Sequence, residues 1–223
     1  MTGAHLEACL IGVFARASEA GRVKTRLIPC LGALAAARLH AKLVGQAVHN
    51  ALASGSRRVE LWCTPSVRQP LFRGLATQYP LHLRTQRGGD LGERMADAFL
   101  RMLEHARGAI LVGSDCPART AQDFVEAREA LQHGCDAVLG PVEDGGYHLI
   151  ALRRLNPRLF AGVSWGTDRV LAQTRRRLRS LGWRWHELPE RWDVDRPEDL
   201  ARLLADPVLA ALTNGLFSSA AGP

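Results

Sequence analysis

Four segments of the sequence combine charged residues with glycine or proline in patterns that suit phosphate or metal binding. The first, residues 15–27, carries four basic side chains and one glycine, namely Arg16, Gly21, Arg22, Lys24 and Arg26. Fixed positive charge and backbone amides bind polyphosphates, and a glycine lets a ligand approach the backbone closely. The segment matches neither the P-loop nor the GxGxxG pattern. It predicts a phosphate site of another type, although an ordinary basic surface loop has the same composition.

Aspartates in two other segments are candidate ligands of a divalent metal. Asp115 lies in residues 113–117, directly after a predicted strand, where a proline stiffens the turn; a simple turn aspartate has the same signature. Asp193 and Asp195 occur near the end of the chain, and Asp195 fits a helix N-cap with Glu198 as its capping-box partner. That interpretation leaves Asp193 without a local role. We therefore predict Asp115 and Asp193 as metal ligands and keep Asp195 as the second choice.

The fourth segment, residues 140–147, and a separate stretch at residues 165–167 are candidates for lining a ligand. Gly145 and Gly146 lie between two predicted strands, where paired glycines admit a ligand or form a plain hairpin turn. Tyr147 follows them as a packed strand aromatic, with stacking on a ligand as the secondary interpretation. Trp165 and Thr167 flank a glycine and are interpreted as the lining of an acceptor pocket or as a helix start.

Residues 162–166 also match the GxSxG pattern of a hydrolase nucleophile elbow around Ser164. Asp168 and His186 follow in the order expected of a catalytic triad. An elbow requires a strand immediately before the serine, and residues 156–161 do not have the pattern of one. We therefore disfavour hydrolysis.

The strands and helices that position these segments are predicted from alternating hydrophobic patterns in the sequence. Strands are predicted at residues 9–15, 59–64, 81–85, 109–112, 137–139, 147–152 and 183–188, and helices at residues 31–53, 70–79, 91–106, 121–132, 167–181 and 197–204. This order predicts an α/β fold, a single-domain three-layer sandwich with a mostly parallel sheet. Ligands bind such sheets at the carboxyl ends of the strands, which is where the candidate segments lie.

Length and composition agree with one domain. The 223 residues suit a single domain over residues 1–223, with a core of about residues 8–205 and a flexible tail at about residues 214–223. Five scattered cysteines have no zinc spacing, residues 1–7 lack a leader pattern, and no apolar run approaches ~20 residues. These features predict a cytoplasmic protein without a membrane partner. The net charge of +7 suits an anionic small substrate.

Taken in order, the segments resemble a family of small glycosyltransferase-A-like proteins. The resemblance runs from about residue 10 to residue 204 and rests on residues 14–27, 113–117, 140–147, 165–167 and 193–195. Members are labelled as transferases associated with radical-SAM and selenium-related proteins, or as arsenosugar-biosynthesis glycosyltransferases. Residues 24–27 are also similar to the start of phospholactate guanylyltransferases. More distantly, the layout resembles the guanylyltransferase of molybdenum-cofactor synthesis.

The resemblance implies a nucleotide-diphospho-sugar-transferase fold of the glycosyltransferase-A type and a Mg²⁺ or Mn²⁺ ion. It implies Lys24 and Arg26 as phosphate ligands, Asp115 and one aspartate of the last segment as metal ligands, and the glycine pair near the acceptor. The chain departs from the family pattern at Arg16, where a lysine is expected, and at Ser18, where a proline is expected. Arg119 stands where an acid is usual and adds positive charge near the predicted metal site.

We predict nucleotidyl transfer, because a loop with several cations suits a triphosphate better than a diphosphate. Lys24 and Arg26, helped by Arg16 or Arg22, would hold a nucleoside triphosphate, and a small anionic acceptor would attack its α-phosphorus. The first alternative is glycosyl transfer from a nucleotide sugar, with Glu143 or Asp144 as the base. The second is a non-catalytic or nucleic-acid-binding module, which the absence of a known nucleic-acid motif disfavours. The oligomeric state has no signature in the sequence.

Overall fold

The computed structural model describes residues 7–216, which form a seven-stranded sheet with helices on both faces. The strands are β1 (Leu10–Arg16), β2 (Val59–Thr64), β3 (Leu81–Thr85), β4 (Ala109–Val112), β5 (Ala137–Pro141), β6 (Tyr147–Leu152) and β7 (Trp185–Glu187). Their order across the sheet is β3-β2-β1-β4-β6-β5-β7. Strand β6 pairs antiparallel with β4 and β5, and the other pairings are parallel. The prediction of a mostly parallel α/β sheet is confirmed.

Seven α-helices connect or flank these strands: α1 (Ile28–Leu31), α2 (Ala33–Ala53), α3 (Pro70–Gln78), α4 (Leu91–Leu103), α5 (Ala121–Gln132), α6 (Val170–Ser180) and α7 (Pro197–Ala205). The single helix predicted at residues 31–53 is divided, because Gly32 has a φ of 77° and ends α1 before α2 begins. Helix α6 begins at Val170, three residues later than predicted. Each of the other helices agrees with its predicted range to within three residues.

The sheet separates two apolar clusters. Alternate residues of β1 face opposite sides, so Ile11 and Val13 pack with α2, α3 and α5, whereas Leu10 packs with α4 and α6. Each fully buried aliphatic side chain of this kind stabilises the fold by about 1.5–3 kcal/mol relative to an exposed one. Helix, sheet and helix layers therefore form the predicted sandwich.

A third apolar cluster joins α2 to the last part of the chain. Leu39 and Leu43 of α2 pack with Trp192, Val194 and Leu200. The buried neighbours on both sides of residue 193 anchor the last predicted site segment against α2. Consequently this segment is held at a defined position beside the sheet.

Residues 214–216, where the flexible tail is predicted to begin, contact the rest of the protein. Leu216 is buried in the third cluster, and Lys42 Nζ donates a hydrogen bond to the Asn214 carbonyl. The flexibility of the tail stays a prediction. Residues 217–223 lie outside the described residues. Among the helices of residues 7–216, none is long and apolar enough to cross a membrane.

Candidate functional site

Lys24 joins three of the four predicted segments. Its side chain is only 3% exposed, and its Nζ lies 2.6 Å from Asp115 Oδ1 and 2.6 Å from the Val194 carbonyl oxygen. The Val194 backbone N–H also donates to the Asp115 carbonyl oxygen, at 2.8 Å. Lys24 has a left-handed backbone with φ 48°, which costs a non-glycine residue roughly 1–2 kcal/mol and persists only where contacts impose it. The structure thus brings residues 15–27, 113–117 and 193–195 together.

The Asp115 carboxylate remains ionised in this setting. Loss of hydration opposes its charge, but the Lys24 ammonium outweighs that effect through its charge and its hydrogen bond, and His40 and Ser114 contribute further. The pKa of Asp115 is therefore lowered below its ordinary value. A partly exposed carboxylate that is anchored by a buried lysine is preorganised to meet a cation.

Asp193 lies close to Asp115 in the fold. Its Oδ1 is buried and accepts no hydrogen bond from the described residues. Burial, followed by the nearby Asp115 carboxylate, raises the pKa of Asp193 to about 7, although Lys24 acts in the opposite direction. An unpaired buried carboxylate oxygen beside a second carboxylate is an arrangement that a divalent cation would stabilise.

The donor set fits a metal that is shared with a ligand. No group of three or more histidine, cysteine or acidic side chains within residues 7–216 is arranged as a metal cage. Mg²⁺ in proteins usually takes one or two carboxylates and completes its coordination with water and substrate phosphates. Asp115 and Asp193 match that pattern.

Asp195 has a different environment from the one predicted. Its Oδ2 pairs with Arg26 Nη1 at 2.6 Å. The helix cap is Arg196, and Asp199 Oδ2 accepts hydrogen bonds from the backbone N–H groups of Asp195 and Arg196. The predicted pairing of Asp195 with Glu198 is therefore wrong by one residue, because proline favours the first helical position and Pro197 places the cap at Arg196.

A cavity of about 480 Å³ opens at the carboxyl ends of β1 and β2. It is lined by Arg16, Ala17, Glu19, Gly21, Arg22, Thr25, Thr64 and Pro65. Three of the residues predicted to bind substrate, Arg16, Gly21 and Arg22, thus share one cavity. Lys24 and Arg26 are the neighbours in sequence of Thr25, which also lines it. Glu19, Thr25 and Thr64 were not predicted, since a single acid or hydroxyl in a loop carries no distinctive signal.

The glycine pair lies in a hairpin between β5 and β6. Gly145 has a φ of 84°, and a Cβ placed there would lie 2.2 Å from the Asp168 carbonyl oxygen. The Leu171 backbone N–H donates to the Gly145 carbonyl oxygen at 2.9 Å. Close packing of the segment before α6 therefore explains this glycine without a ligand. Gly146 closes the turn by donating its N–H to Asp144 Oδ1, at 2.9 Å.

Replacing Gly145 with alanine should destabilise the protein by about 3 kcal/mol or more, since a strained φ and a backbone clash add together. Gly166 is a matched control, because its φ is 77° but nothing lies within 4 Å of its added Cβ. Gly166→Ala should cost only about 1–2 kcal/mol. Urea unfolding of both variants would measure the difference, and equal losses would contradict the packing explanation.

The predicted aromatic residues pack mainly within the protein. Tyr147 and Trp165 lie partly buried against the second apolar cluster, as the structural interpretation of Tyr147 anticipated. Trp165 lies against Gly92, where an added Cβ would be 2.6 Å from the indole Nε1. Thr167 is exposed and donates its hydroxyl to the Ser164 carbonyl oxygen. These two aromatic rings and Thr167 place the predicted acceptor region beside α4 and α6.

The hydrolase interpretation fails on local structure. The element before Ser164 is a short 3-10 helix, Pro157–Leu159, rather than a strand. His186 hydrogen-bonds Glu126 of α5 through Nε2 at 2.8 Å, while Ser164 Oγ accepts from Gln173 of α6. The chain has no nucleophile elbow at this position.

Comparison with known proteins decides the family. A model of the family described as "Uncharacterized protein conserved in bacteria (DUF2064)" matches residues 47–167. The chain belongs to the DUF2064 family. No curated protein matches the sequence. The narrower links to radical-SAM-associated, arsenosugar or guanylyltransferase groups stay predictions.

Solved structures show the fold of this DUF2064 protein. A protein from Desulfovibrio desulfuricans G20, provisionally named a nucleotide-diphospho-sugar transferase, is 28% identical, with a TM-score of 0.81 over 95% of this chain and 97% of that chain. A CMP-2-keto-3-deoxy-manno-octonic acid synthetase with CTP is 13% identical, with a TM-score of 0.57 over 92% and 98%. Glucosyl-3-phosphoglycerate synthase from Mycobacterium tuberculosis, with Mn²⁺ and UDP, is 11% identical, with a TM-score of 0.53 over 99% and 84%. The predicted nucleotide-diphospho-sugar-transferase fold is confirmed.

Arg119 of the DUF2064 chain links the loop after β4, which carries Asp115, to β6. Its side chain is buried, and it donates hydrogen bonds to the carbonyl oxygens of His148 at 3.1 Å and Gly113 at 2.8 Å. Burial lowers the pKa of Arg119, and Asp193 and Asp115 are among the groups that oppose this shift. The sequence indicated a positive charge near the predicted metal site, and in the structure this charge links β6 to the loop after β4.

Asp193 should give the stability of the metal-free DUF2064 protein a recognisable pH dependence. Its folded-state pKa lies above the ordinary aspartate value, so the folded state binds a proton between about pH 4 and pH 7 that the unfolded state has lost. This contribution therefore destabilises the fold as pH rises, by at most about 1.4 kcal/mol per pH unit. Burial lowers the pKa of His40 and His148, which gives the opposite slope.

His40 and His148 are present in both Asp193→Asn and the unmodified protein, so their contribution cancels when the two proteins are compared at each pH. The unfolding free energy of Asp193→Asn relative to the unmodified protein should increase between pH 5 and pH 7.5, as measured by urea unfolding in a chelating buffer. A difference that is independent of pH would show that Asp193 titrates normally.

Proposed function

We propose that this protein is a metal-dependent transferase acting on a nucleotide, and specifically that it transfers a nucleotidyl group from a nucleoside triphosphate to a small anionic acceptor. One observation carries the proposal: the buried Lys24–Asp115 pair and the unpaired Asp193 oxygen adjoin a basic loop that lines a cavity of about 480 Å³. Fixed cations, two carboxylates and a cavity at the carboxyl ends of parallel strands are what binding of a polyphosphate with a metal requires.

The basic loop would bind the triphosphate. Arg16 and Arg22 line the cavity, and Gly21 lets phosphate oxygens approach the backbone between them. The Lys24 ammonium has three N–H groups, two of which are engaged by Asp115 and Val194, so one remains for a phosphate oxygen. Arg26 is held by Asp195 and would add charge at the periphery.

Asp115 and Asp193 would hold Mg²⁺ or Mn²⁺, with Asp195 as the second choice because Arg26 already neutralises it. The bound ion would supply neutralisation of phosphate charge. Gly145, Gly146, Tyr147, Trp165 and Thr167 would border the acceptor.

The reaction needs no nucleophile from the protein. An acceptor oxygen would form a bond to the α-phosphorus as the bond between that phosphorus and the bridging oxygen to the β-phosphate breaks, and pyrophosphate would leave. In such reactions the rate increase comes from positioning of the two substrates and from stabilisation of charge. Here Arg16, Arg22 and Lys24 would stabilise the charge.

Glycosyl transfer is the second candidate. The name of the Desulfovibrio relative, with 28% identity over nearly the whole chain, favours a nucleotide-sugar donor. Of the two predicted bases, Glu143 is engaged by Arg202 at 2.8 Å. Asp144 lies close enough to Asp193 to raise the pKa of that carboxyl. Asp144 is therefore the better base for this reaction.

A thermal-shift screen with Mg²⁺ separates these candidates. A ligand at about 100 times its Kd stabilises the folded state by about 2.7 kcal/mol, which raises the Tm by several degrees. A shift with one nucleoside triphosphate, followed by acceptor-dependent release of pyrophosphate, supports nucleotidyl transfer. A shift with nucleotide sugars alone supports glycosyl transfer. No shift with either class would contradict the proposal and favour a nucleic-acid-binding module, whose binding weakens steeply with salt.

A further inference from the structure

His40 is a polar residue in an otherwise apolar buried stripe of α2. The other buried residues of this helix are Ala35, Ala36, Ala37, Leu39, Leu43, Val44, Ala47, Val48 and Ala51. His40 is 5% exposed, so its ring is almost completely shielded from solvent. A buried imidazole costs stability unless its nitrogens gain specific partners. The hydrogen-bond and electrostatic partners of His40 therefore indicate its role.

Both ring nitrogens of His40 face the proposed site. Nε2 lies 2.9 Å from the Arg16 carbonyl oxygen, and Nδ1 lies 4.0 Å from Asp115 Oδ1. A carbonyl oxygen only accepts, so Nε2 carries a hydrogen, and Nδ1 is the ring nitrogen that faces the carboxylate.

The contacts of His40 belong to a series along α2. Gln46 Nε2 donates to the Pro117 carbonyl oxygen at 3.4 Å, and Asn50 Nδ2 donates to the Arg119 carbonyl oxygen at 2.6 Å. Helix α2 thus follows the loop after β4 from Asp115 to Arg119. His40 differs from Gln46 and Asn50 because it contacts the end of β1 as well as the Asp115 carboxylate.

We infer that His40 is a positioning residue of the proposed nucleotide site, which sets the end of β1 at Arg16 against the Asp115 carboxylate. The inference rests on the proposed function. The Nε2–H bond fixes the strand end that carries the Arg16 guanidinium into the cavity. Nδ1, which lies 4.0 Å from Asp115 Oδ1, is the polar neighbour of the carboxylate on the side of α2 and so helps to hold its orientation toward Lys24 and a cation. Loss of His40 therefore loosens the phosphate-binding and metal-binding parts of the site together.

Three substitutions test this role. His40→Phe keeps a planar ring but removes both nitrogens, and His40→Gln restores an N–H donor of similar reach to Nε2. Gln46→Met is the matched control, because it removes a contact with the same loop two residues beyond Asp115. Mn²⁺ binding is measured by electron paramagnetic resonance, Mg²⁺-dependent nucleotide binding by calorimetry, and stability by urea unfolding.

We expect His40→Phe to weaken Mn²⁺ binding and nucleotide binding by about tenfold each. His40→Gln should recover most of the nucleotide affinity. The Mn²⁺ and nucleotide affinities of Gln46→Met should stay within about twofold of those of the unmodified protein. Where turnover is measurable, KM should rise more than kcat falls. If His40→Phe does not fold, His40→Asn, whose side chain is too short to reach the Arg16 carbonyl, should show the same tenfold loss.

Unchanged affinities in folded His40→Phe or His40→Asn, or equal losses in Gln46→Met, would overturn the inference and leave His40 a purely structural residue. In that case the unmodified protein still binds its nucleotide, and the proposed function stands. If the unmodified protein binds no nucleotide with metal, the proposed function itself fails, so the two failures are distinguishable.

Discussion

Asp115→Asn will weaken metal-dependent nucleotide binding at least about a hundredfold, which corresponds to about 2.7 kcal/mol of binding free energy. The substitution keeps the shape of the side chain but removes the charge that Lys24 holds 2.6 Å away and that a divalent cation needs. Calorimetric titration of the responding nucleotide, with and without Mg²⁺, measures the effect. Binding without Mg²⁺ should change much less.

The fold should tolerate this change. Lys24 keeps its bond to the Val194 carbonyl oxygen, so the loss of unfolding free energy should stay within about 1–3 kcal/mol. Asp97→Asn is the control, because Asp97 pairs with Arg101 within α4 and is a carboxylate of the same type outside the site. Retained metal-dependent affinity in folded Asp115→Asn would show that Asp115 is not a ligand.

Arg119→Met should be the most destabilising charge removal near the site, with an expected loss of about 3–5 kcal/mol. The guanidinium is fully buried, and its loss leaves the carbonyl oxygens of Gly113 and His148 without their donors. Arg119→Lys should not restore stability, because one ammonium cannot span both carbonyls as the planar guanidinium does. Urea unfolding measures both variants.

Arg119 also matters for Asp193. Its positive charge lowers the pKa of that carboxyl, so Arg119→Met should raise the pKa of Asp193 further and shift metal binding to higher pH. Arg128→Met provides the comparison, because Arg128 makes a partly buried bond to one carbonyl oxygen, that of Ser54, and should cost only about 1 kcal/mol. Similar losses for the two arginines would contradict a special role for Arg119.

Much of the secondary structure was determined by local sequence. Strands β2, β3, β4 and β6 begin and end at the predicted residues, because short apolar runs are bounded there by turn residues or by charged residues. Helix α5 agrees equally well. Two of the differences from prediction have local explanations: Gly32 divided a helix, and Pro197 moved a cap by one residue. Such details follow from the backbone preferences of single residues, which override the hydrophobic pattern at these positions.

Only part of the candidate site could be predicted from the sequence. The sequence predicted Lys24, Asp115 and Asp193 as site residues, because charged residues after strands of an α/β sheet meet at one edge. It did not indicate His40, since a histidine on an apolar helix face looks like any satisfied core residue. For Gly145 it offered two interpretations, and packing against Asp168 supplied a third.

The sequence by itself determined the fold class, the order of the elements and the residue types available to the site. Tertiary structure decided which of these residues touch. Lys24 meets the carbonyl oxygen of Val194 across 170 positions, and Arg26 meets Asp195 across 169. Local propensity acts over a few residues, whereas such contacts depend on how β1, β4 and the segment before α7 are placed by packing on α2. For that reason the antiparallel β6, the pairing of Asp195 and the unpaired oxygen of Asp193 became visible only in the folded chain.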